Sequence, residues 1–219
     1  MQYIVKAPNR IKAEINLPAS KSISNRVLVI HSLLGGNGTL HNLSDCYDTQ
    51  VMINSLRDMP EVIDIKAAGT AMRFMSAYLS VTEGEHVITG TERMKHRPIG
   101  VLVDALRRLG ADIEYVGEQG YPPLRIRGKQ LEGGTLEVPG NISSQYISAL
   151  LMIGPALRNG LELRLTGDII SRPYIDLTLH VMHEFGCKIE WSSVDTISVK
   201  PQRYDDREYV VENDWSASS

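Results

Sequence analysis

Residues 17–36 read LPASKSISNRVLVIHSLLGG, and the way this stretch is read decides the fold. From Ser20 to Arg26, six of seven residues are Ser, Lys, Asn or Arg, and no carboxylate offsets the two cations. The chain then becomes too apolar to be solvated until two glycines stop it. Hydroxyls and cations leading into a buried helix have two readings. One is ordinary capping by Ser22 or Ser24, with Lys21 and Arg26 as solvated charges. The other is an anion seat on the unpaired N–H groups of the first helical turn.

The pattern recurs twice. AAGTAMR (67–73) leads into FMSAYLSV and then Gly84 and EHVITG; NISSQY (141–146) leads into ISALLMIGPAL and then Gly160 and LELRLTG. Counted from Ser22, Ala68 and Ser144, a glycine (Gly38, Gly84, Gly160) falls 16 residues later each time. Each copy has a second half. Ile99, Leu102, Val103, Leu106 and Leu109 fall on one helical face that Gly110 ends, before the strand-like ADIEYV. Ile175, Leu179, Met182 and Phe185 repeat this up to Gly186, before CKIEW. In the first copy DTQVMINSLRDM and VIDIK take the same roles. After the second helix the middle copy offers DIEYV, PLRIRG and TLEVPG as strands, and the last offers KIEW, TISVK and EYVVEN.

The pattern predicts an α/β protein of three repeated β-α-β-α-β-β units around buried helices. The step from Ser22 to Ala68 is 46 residues against 76 from Ala68 to Ser144, so the first unit is expected to lack about a hairpin. Ser219 lies 75 residues after Ser144, and VVENDWSASS resembles the earlier strand-to-serine entries. The sequence is therefore expected to be a piece of a longer one, stopping where a fourth unit starts. The expected division is 1–18 as a strand and crossing segment of another globule, 19–212 as the main globule (units 19–67, 68–140 and 141–212), and 213–219 as a second crossing.

Composition narrows the functional classes. Apolar residues make up 42% of the 219, enough for a core, and a net charge of −3 argues against nucleic acid as a partner. Cys46 and Cys187 lie far apart with no C-x-x-C, so neither a disulfide framework nor a thiolate zinc site is expected. His96, His180 and His183 have no metal-ligand spacing with acidic residues and are read as surface or helix-face residues. The longest apolar run, ALLMIGPAL, is far too short to span a bilayer, and no signal-peptide core is present. These readings predict a soluble, cytoplasmic protein with no membrane partner and no metal.

Three loops carrying the same polar cluster favour the anion seat over capping alone, since a cap needs one hydroxyl. ERMKHRPIG adds Arg93, Lys95, His96 and Arg97 ahead of Pro98, which is read as the first residue of a helix. ISRPYID repeats that design with Ser171, Arg172 and Tyr174, the last of which reads equally well as core.

LPASKSISNR, AGTAMR, RMKHRPIG, GNISSQY and ISRPYID, in this order, resemble the N-terminal half of the 5-enolpyruvylshikimate-3-phosphate synthase (3-phosphoshikimate 1-carboxyvinyltransferase) family. The resemblance runs over essentially the whole chain. It implies a fold of two globules of three units each, an inside-out α/β barrel that closes over substrate. It implies transfer of the enolpyruvyl group of phosphoenolpyruvate to the 5-hydroxyl of shikimate 3-phosphate with release of phosphate, on the route to chorismate and aromatic amino acids, with no cofactor. By motif, Lys21, Ser22, Arg26, Ser143, Ser144, Gln145, Ser171 and Tyr174 would hold shikimate 3-phosphate. Lys21, Gly69, Arg73, Arg97 and Gln145 would hold phosphoenolpyruvate. The acid–base residues would lie in the C-terminal globule, so this half would carry no catalytic residue and be inactive alone. The chain departs from the family in AAGTAMRF, where Asn is expected before the second Ala and Pro after the Arg, and in Ala19, where Gly is commoner. Two other readings stand beside this one. The UDP-N-acetylglucosamine enolpyruvyl transferases usually carry Lys-Asn where this chain has Lys21-Ser22, and a mobile-loop Cys that ERMKHRP lacks. A non-catalytic anion-binding module would work without a second half.

Overall fold

The computed structural model describes residues 10, 12, 14–36 and 38–215. Most of the expected N-terminal strand in YIVKAPNRIKAEI, and the final SASS, lie outside the described residues. In chain order the elements are α1 (Lys21–Leu33), β1 (Leu40–His41), α2 (Tyr47–Asp58), β2 (Val62–Asp64), α3 (Gly69–Val81) and β3 (Gly84–Thr89). Then follow α4 (Glu92–Lys95), α5 (Gly100–Arg108), β4 (Asp112–Tyr115), β5 (Leu124–Gly128), β6 (Gly134–Pro139) and α6 (Ser144–Ile153). A 3-10 turn (Gly154–Ala156) leads to β7 (Leu161–Thr166), α7 (Arg172–Glu184), β8 (Ile189–Trp191), β9 (Thr196–Val199) and β10 (Tyr209–Val210).

The three helices that follow the polar loops are the interior. Eleven of the thirteen residues of α3 are buried, and nine of the ten of α6. Polar residues survive there because they bond backward along the helix: Ser76 Oγ donates to Met72 O and Ser80 Oγ to Ser76 O. α2, α5 and α7 bury only one side, as their apolar spacing predicts. The sheets lie outermost, and residues of β7 and β9 alternate between buried and more exposed positions.

Two four-stranded sheets have matching orders, β2-β3-β5-β4 and β6-β7-β9-β8. In each, the first two strands are parallel and the last two antiparallel additions. The third sheet has, among the described residues, two strands, β1 and β10, also parallel. The repeating glycines serve close turns. Gly84 and Gly160 take φ of 133° and 68°, which L side chains resist, while a Cβ on Gly38 would meet Asp206 and Arg207.

Five expectations need correction. The strand VIDIK (62–66), expected to close the first unit, pairs instead with β3, and TLEVPG (135–140) pairs with β7. EYVVEN contributes β10, which pairs with β1, at the opposite end of the chain. Each sheet thus starts one strand before the expected unit boundaries at 67/68 and 140/141, because the right-handed β-α-β crossover needs its leading strand in the same sheet as the next. Ser20, rather than Ser22 or Ser24, caps α1, its side chain accepting from Ile23 N at 3.4 Å; Ser24 Oγ accepts from Ser44 N. Pro98 lies ahead of α5 rather than opening it, because Ile99 N–H is spent on Gly120 O and Tyr146 Oη holds Pro98 O.

Candidate functional site

Parallel strand pairs put helix starts on one edge. α3 follows β2 while α4 and α5 follow β3; α6 follows β6 and α7 follows β7. In the two-stranded sheet, α2 follows β1, and α1 starts where Ser20 N–H donates to Glu212 O (2.9 Å), just past β10. The carboxyl ends of all three parallel pairs therefore present helix N-termini, where unpaired N–H groups and the helix dipole favour anions.

Side chains tie these starts together. Gln145 Nε2 on α6 donates to Thr70 Oγ1 on α3 (3.1 Å). Lys21 Nζ on α1 lies 3.7 Å from Asp48 Oδ2 on α2. Arg26, only 3% exposed, donates from Nη1 to Ser22 O, from Nε to Thr178 Oγ1, and from Nη2 to Ser148 Oγ and Tyr174 O. It thereby binds α1 to α6 and α7. Burial pushes its pKa down to about 10, which leaves it charged at neutral pH. The reading of Arg26 as a solvated charge is therefore wrong: the guanidinium lies inside.

Arg73, 6% exposed, donates from Nη1 to Gly69 O (2.7 Å) and stands over the Tyr146 ring at 5.5 Å. Its Nε is buried without a hydrogen-bond partner. Arg97 comes in from the α4–α5 turn. A Cβ on Gly69 would run into Arg97 Nη1 and lie 2.8 Å from Arg73 Nη1, so glycine there keeps both guanidinia against the start of α3. Partial burial, then the charge of Arg73, lowers the pKa of Arg97.

Ser143 caps α6 through its side chain, accepting from Gln145 N (3.3 Å), and remains exposed; Ser144 is buried beside it. Ser171 is half-buried at the start of α7 without a side-chain cap bond. Tyr174 is 52% exposed, which removes the reading of it as core. His96, His180 and His183 are exposed, and among the described residues no His, Cys, Asp or Glu cluster could hold a metal. The sequence reading missed Asp48, Thr70, Ser148 and Thr178. Their only sequence signal is proximity to a helix start or an i+4 offset, both too common to single out a residue. A cavity of about 1000 Å³ between α7 and β8, lined by Leu179, His183, Trp191 and Lys200 among others, lies away from these residues.

What marks this edge is buried charge: among the described residues Arg26 and Arg73 are the only buried arginines. Arg57, Arg127, Arg158, Arg164 and Arg207 elsewhere each face a carboxylate. Arg26, Arg73 and Arg97 have no ion pair among the described residues, although two of them are buried.

The family model described as EPSP synthase (3-phosphoshikimate 1-carboxyvinyltransferase) matches residues 5–62 and 58–219. The chain belongs to this family. A 3-phosphoshikimate 1-carboxyvinyltransferase of Bacteroides fragilis (strain YCH46) is 63% identical over 219 residues, 100% of this chain and 53% of the relative. One of Aliivibrio fischeri (strain ATCC 700601 / ES114) is 40% identical over 239 residues, covering 96% of this chain and 56% of the relative. The solved EPSP synthase of Acinetobacter baumannii shares the fold, with a TM-score of 0.78 at 22% identity over 93% of this chain and 50% of that one. The chain spans about half the length of the curated relatives it matches. The family match breaks at residues 58–62, between α2 and β2. The Aliivibrio alignment is also longer than this whole chain, so that relative has residues with no counterpart here.

Proposed function

We propose that this chain supplies the substrate-gathering half of an enzyme that transfers the enolpyruvyl group of phosphoenolpyruvate to the 5-hydroxyl of shikimate 3-phosphate, releasing phosphate. The observation that carries the proposal is the set of buried or crowded arginines without carboxylates at gathered helix starts. Such a set costs desolvation and mutual repulsion in the empty protein, and polyanionic ligands offset both. Both proposed substrates are polyanions.

In this reading Lys21, Ser22, Ser143, Ser144, Gln145 and Ser171 hold shikimate 3-phosphate. Arg26 offers it the one N–H left unspent on Nη1, and Tyr174 lends its exposed ring to the carbocycle. Gly69, through its unpaired backbone N–H, receives phosphoenolpyruvate together with Lys21, Arg73, Arg97 and Gln145. Two reactants held on one rigid edge lose the translational freedom that separates them in solution. The proton transfers fall to a second, C-terminal globule, which together with the two substrates is this chain's partner. The enzyme would be cytoplasmic and serve aromatic amino-acid synthesis. The UDP-N-acetylglucosamine reading is less supported, because the matched family and the relatives above carry the other activity in their names. The anion-binding module is less supported because those relatives are about twice as long.

Calorimetry tests the binding half of the proposal. A charge-assisted contact is worth about 1.5–3 kcal/mol, so Lys21→Ala is expected to weaken shikimate 3-phosphate binding about tenfold or more. Equal affinities for wild type and variant would overturn the assignment. The chain alone is expected not to turn over, for want of acid–base groups. Phosphate release from both substrates at an enzymatic rate by the purified 219-residue chain would refute that.

A further inference from the structure

β4 and β8 end the two four-stranded sheets, and among the described residues each pairs on one side only. The two edges are built alike. Arg107 and His183 stand three residues before the glycines that stop α5 and α7, and Ile113 and Ile189 three residues after them. Val116 N donates to Pro123 O, and Ser192 N to Thr196 O. Pairing alternates from those bonds, so Ile113 and Ile189 turn their N–H and C=O groups outward. At β4 this edge is closed. Arg107 donates to Ile113 O from Nε (3.1 Å) and Nη2 (2.6 Å), with its guanidinium 5.0 Å from the Tyr115 ring centre. On the outer face Asp112 lies opposite Arg127 and pairs with it at 3.5 Å.

At β8 both closures are missing. His183 is shorter than arginine and makes no hydrogen bond to Ile189 O. Lys188 takes the place of Asp112, and one step beyond the Ile189–Val199 pair it faces Lys200. Like charges directly opposite one another cost stability, and both lysines are exposed with no ion pair among the described residues. Gln202 holds Lys188 by its backbone, Oε1 accepting from Lys188 N and Nε2 donating to Lys188 O. Where the sister edge has an arginine, this one has the cavity of about 1000 Å³. Its lining includes Leu179 and the buried Ile189 on one face of the strand, and Lys188, Glu190 and Lys200 on the other.

We propose that the β8 edge is a docking surface for an extended acidic segment of another protein, which adds to the sheet as a further strand. A backbone N–H of that segment gives Ile189 O the bond that Arg107 gives Ile113 O. Its side chains alternate between the two faces, apolar ones over Leu179 and Trp191 and carboxylates beside Lys188 and Lys200. Trp191 is already fixed in place, its Nε1 bonded to Asp176 Oδ1 (2.8 Å) and its ring held by Arg172 at 4.0 Å. Lysine on an edge strand is a common guard against self-pairing, so the charges that suit an acidic strand turn away a second copy. The proposal does not depend on the function proposed above.

NMR of the 219-residue chain tests it, with an acetylated and amidated peptide of alternating valine and glutamate as the probe. The backbone amides of Ile189 and Trp191 and the Trp191 indole N–H should shift, and added salt should weaken binding. His183→Arg, which copies the closure of β4, should bind the peptide about tenfold or more weakly, as should Lys188→Asp, which recreates the opposite-charge pair. Both positions are exposed, so neither change threatens the fold. The same loss is expected for wild type with a valine–lysine peptide, and with a valine–glutamate peptide N-methylated on the residues that face β8. No shift at about 1 mM peptide, shifts at Lys21 and Arg97 in place of β8, or equal binding by His183→Arg and wild type would overturn the proposal. Concentration-dependent shifts of Ile189 and Trp191 without peptide would make a second copy the occupant, and overturn it as well.

Discussion

Phe74→Ala is expected to remove about 5 kcal/mol of stability and leave the chain largely unfolded at 37 °C. Phe74 is one of two phenylalanines in the chain and is fully buried in the middle of α3. α3 packs against α1, α2 and α6 and against β3 and β5, so little can collapse into the space left behind. Truncating a buried Phe costs about 3–5 kcal/mol through lost transfer energy and the remaining cavity. This ring carries a second load, because the Arg26 guanidinium sits 5.5 Å from its centroid. A cation over a desolvated ring is worth about 2 kcal/mol, and Arg26 has no carboxylate to fall back on. Phe74→Leu separates the two, since it keeps most of the volume and loses only the ring face. It should cost about 2 kcal/mol. Urea denaturation with unchanged m-values measures both. A loss below about 2 kcal/mol for Phe74→Ala would mean that the centre of the three helices is not close-packed.

The position of that core was legible in the sequence because apolar spacing is a local signal. Gly110 and Gly186 mark the ends of amphipathic helices whose inward faces had been read residue by residue, and the central helices were marked by having no polar face at all. The interval from Ser22 to Ala68 is 30 residues shorter than that from Ala68 to Ser144, and among the described residues the sheet of β1 and β10 has two strands where the others have four. Strand partition was not legible. Whether VIDIK belongs with what precedes it or with β3 depends on pairing across the polar loop and α3, and nothing in VIDIK itself encodes its partner. β10 pairing with β1 is the extreme case, two short strands at opposite ends of the chain.

The site divides along the same line. The loops that gather at the helix starts were found because each carries an unusual density of hydroxyls and cations in a repeated register. Depth was not found. Lys21 and Arg26 sit five residues apart in one motif, yet one is solvated and pairs with Asp48 while the other is enclosed by α6 and α7. The rotation of α1 decides this, and the partners that make burial of Arg26 tolerable, Ser148 and Thr178, come from more than a hundred residues away.

Arg26 is where stability and ligand binding can be told apart. Arg26→Ala is expected to cost about 3 kcal/mol, whereas Arg26→Met should cost about 1 kcal/mol or less. Alanine leaves a cavity beneath Phe74; methionine fills it, and replacing a buried charge by an apolar side chain of similar volume is often neutral. The hydroxyls left behind are not orphaned, because Ser148 Oγ and Thr178 Oγ1 lie 2.7 Å apart and Thr178 Oγ1 also donates to Tyr174 O. The wild-type charge itself works against the fold. Burial depresses the folded pKa from 12.5 to about 10, so between these values the unfolded chain binds the extra proton. Stability of wild type relative to Arg26→Met should therefore rise with pH through that window and be lowest below it. The comparison cancels the opposing effect of Cys187, whose thiol burial pushes up to about 12. Ligand widens the gap between the two chains. Shikimate 3-phosphate at a hundred times its Kd should stabilise wild type by about 2.7 kcal/mol. The same concentration should stabilise Arg26→Met by only about 1.4 kcal/mol if the lost contact weakens binding tenfold. Thermal unfolding of both chains with and without shikimate 3-phosphate decides the matter. Equal ligand-induced shifts would make Arg26 a purely structural residue, and the uncompensated charge inside the globule would then need another explanation.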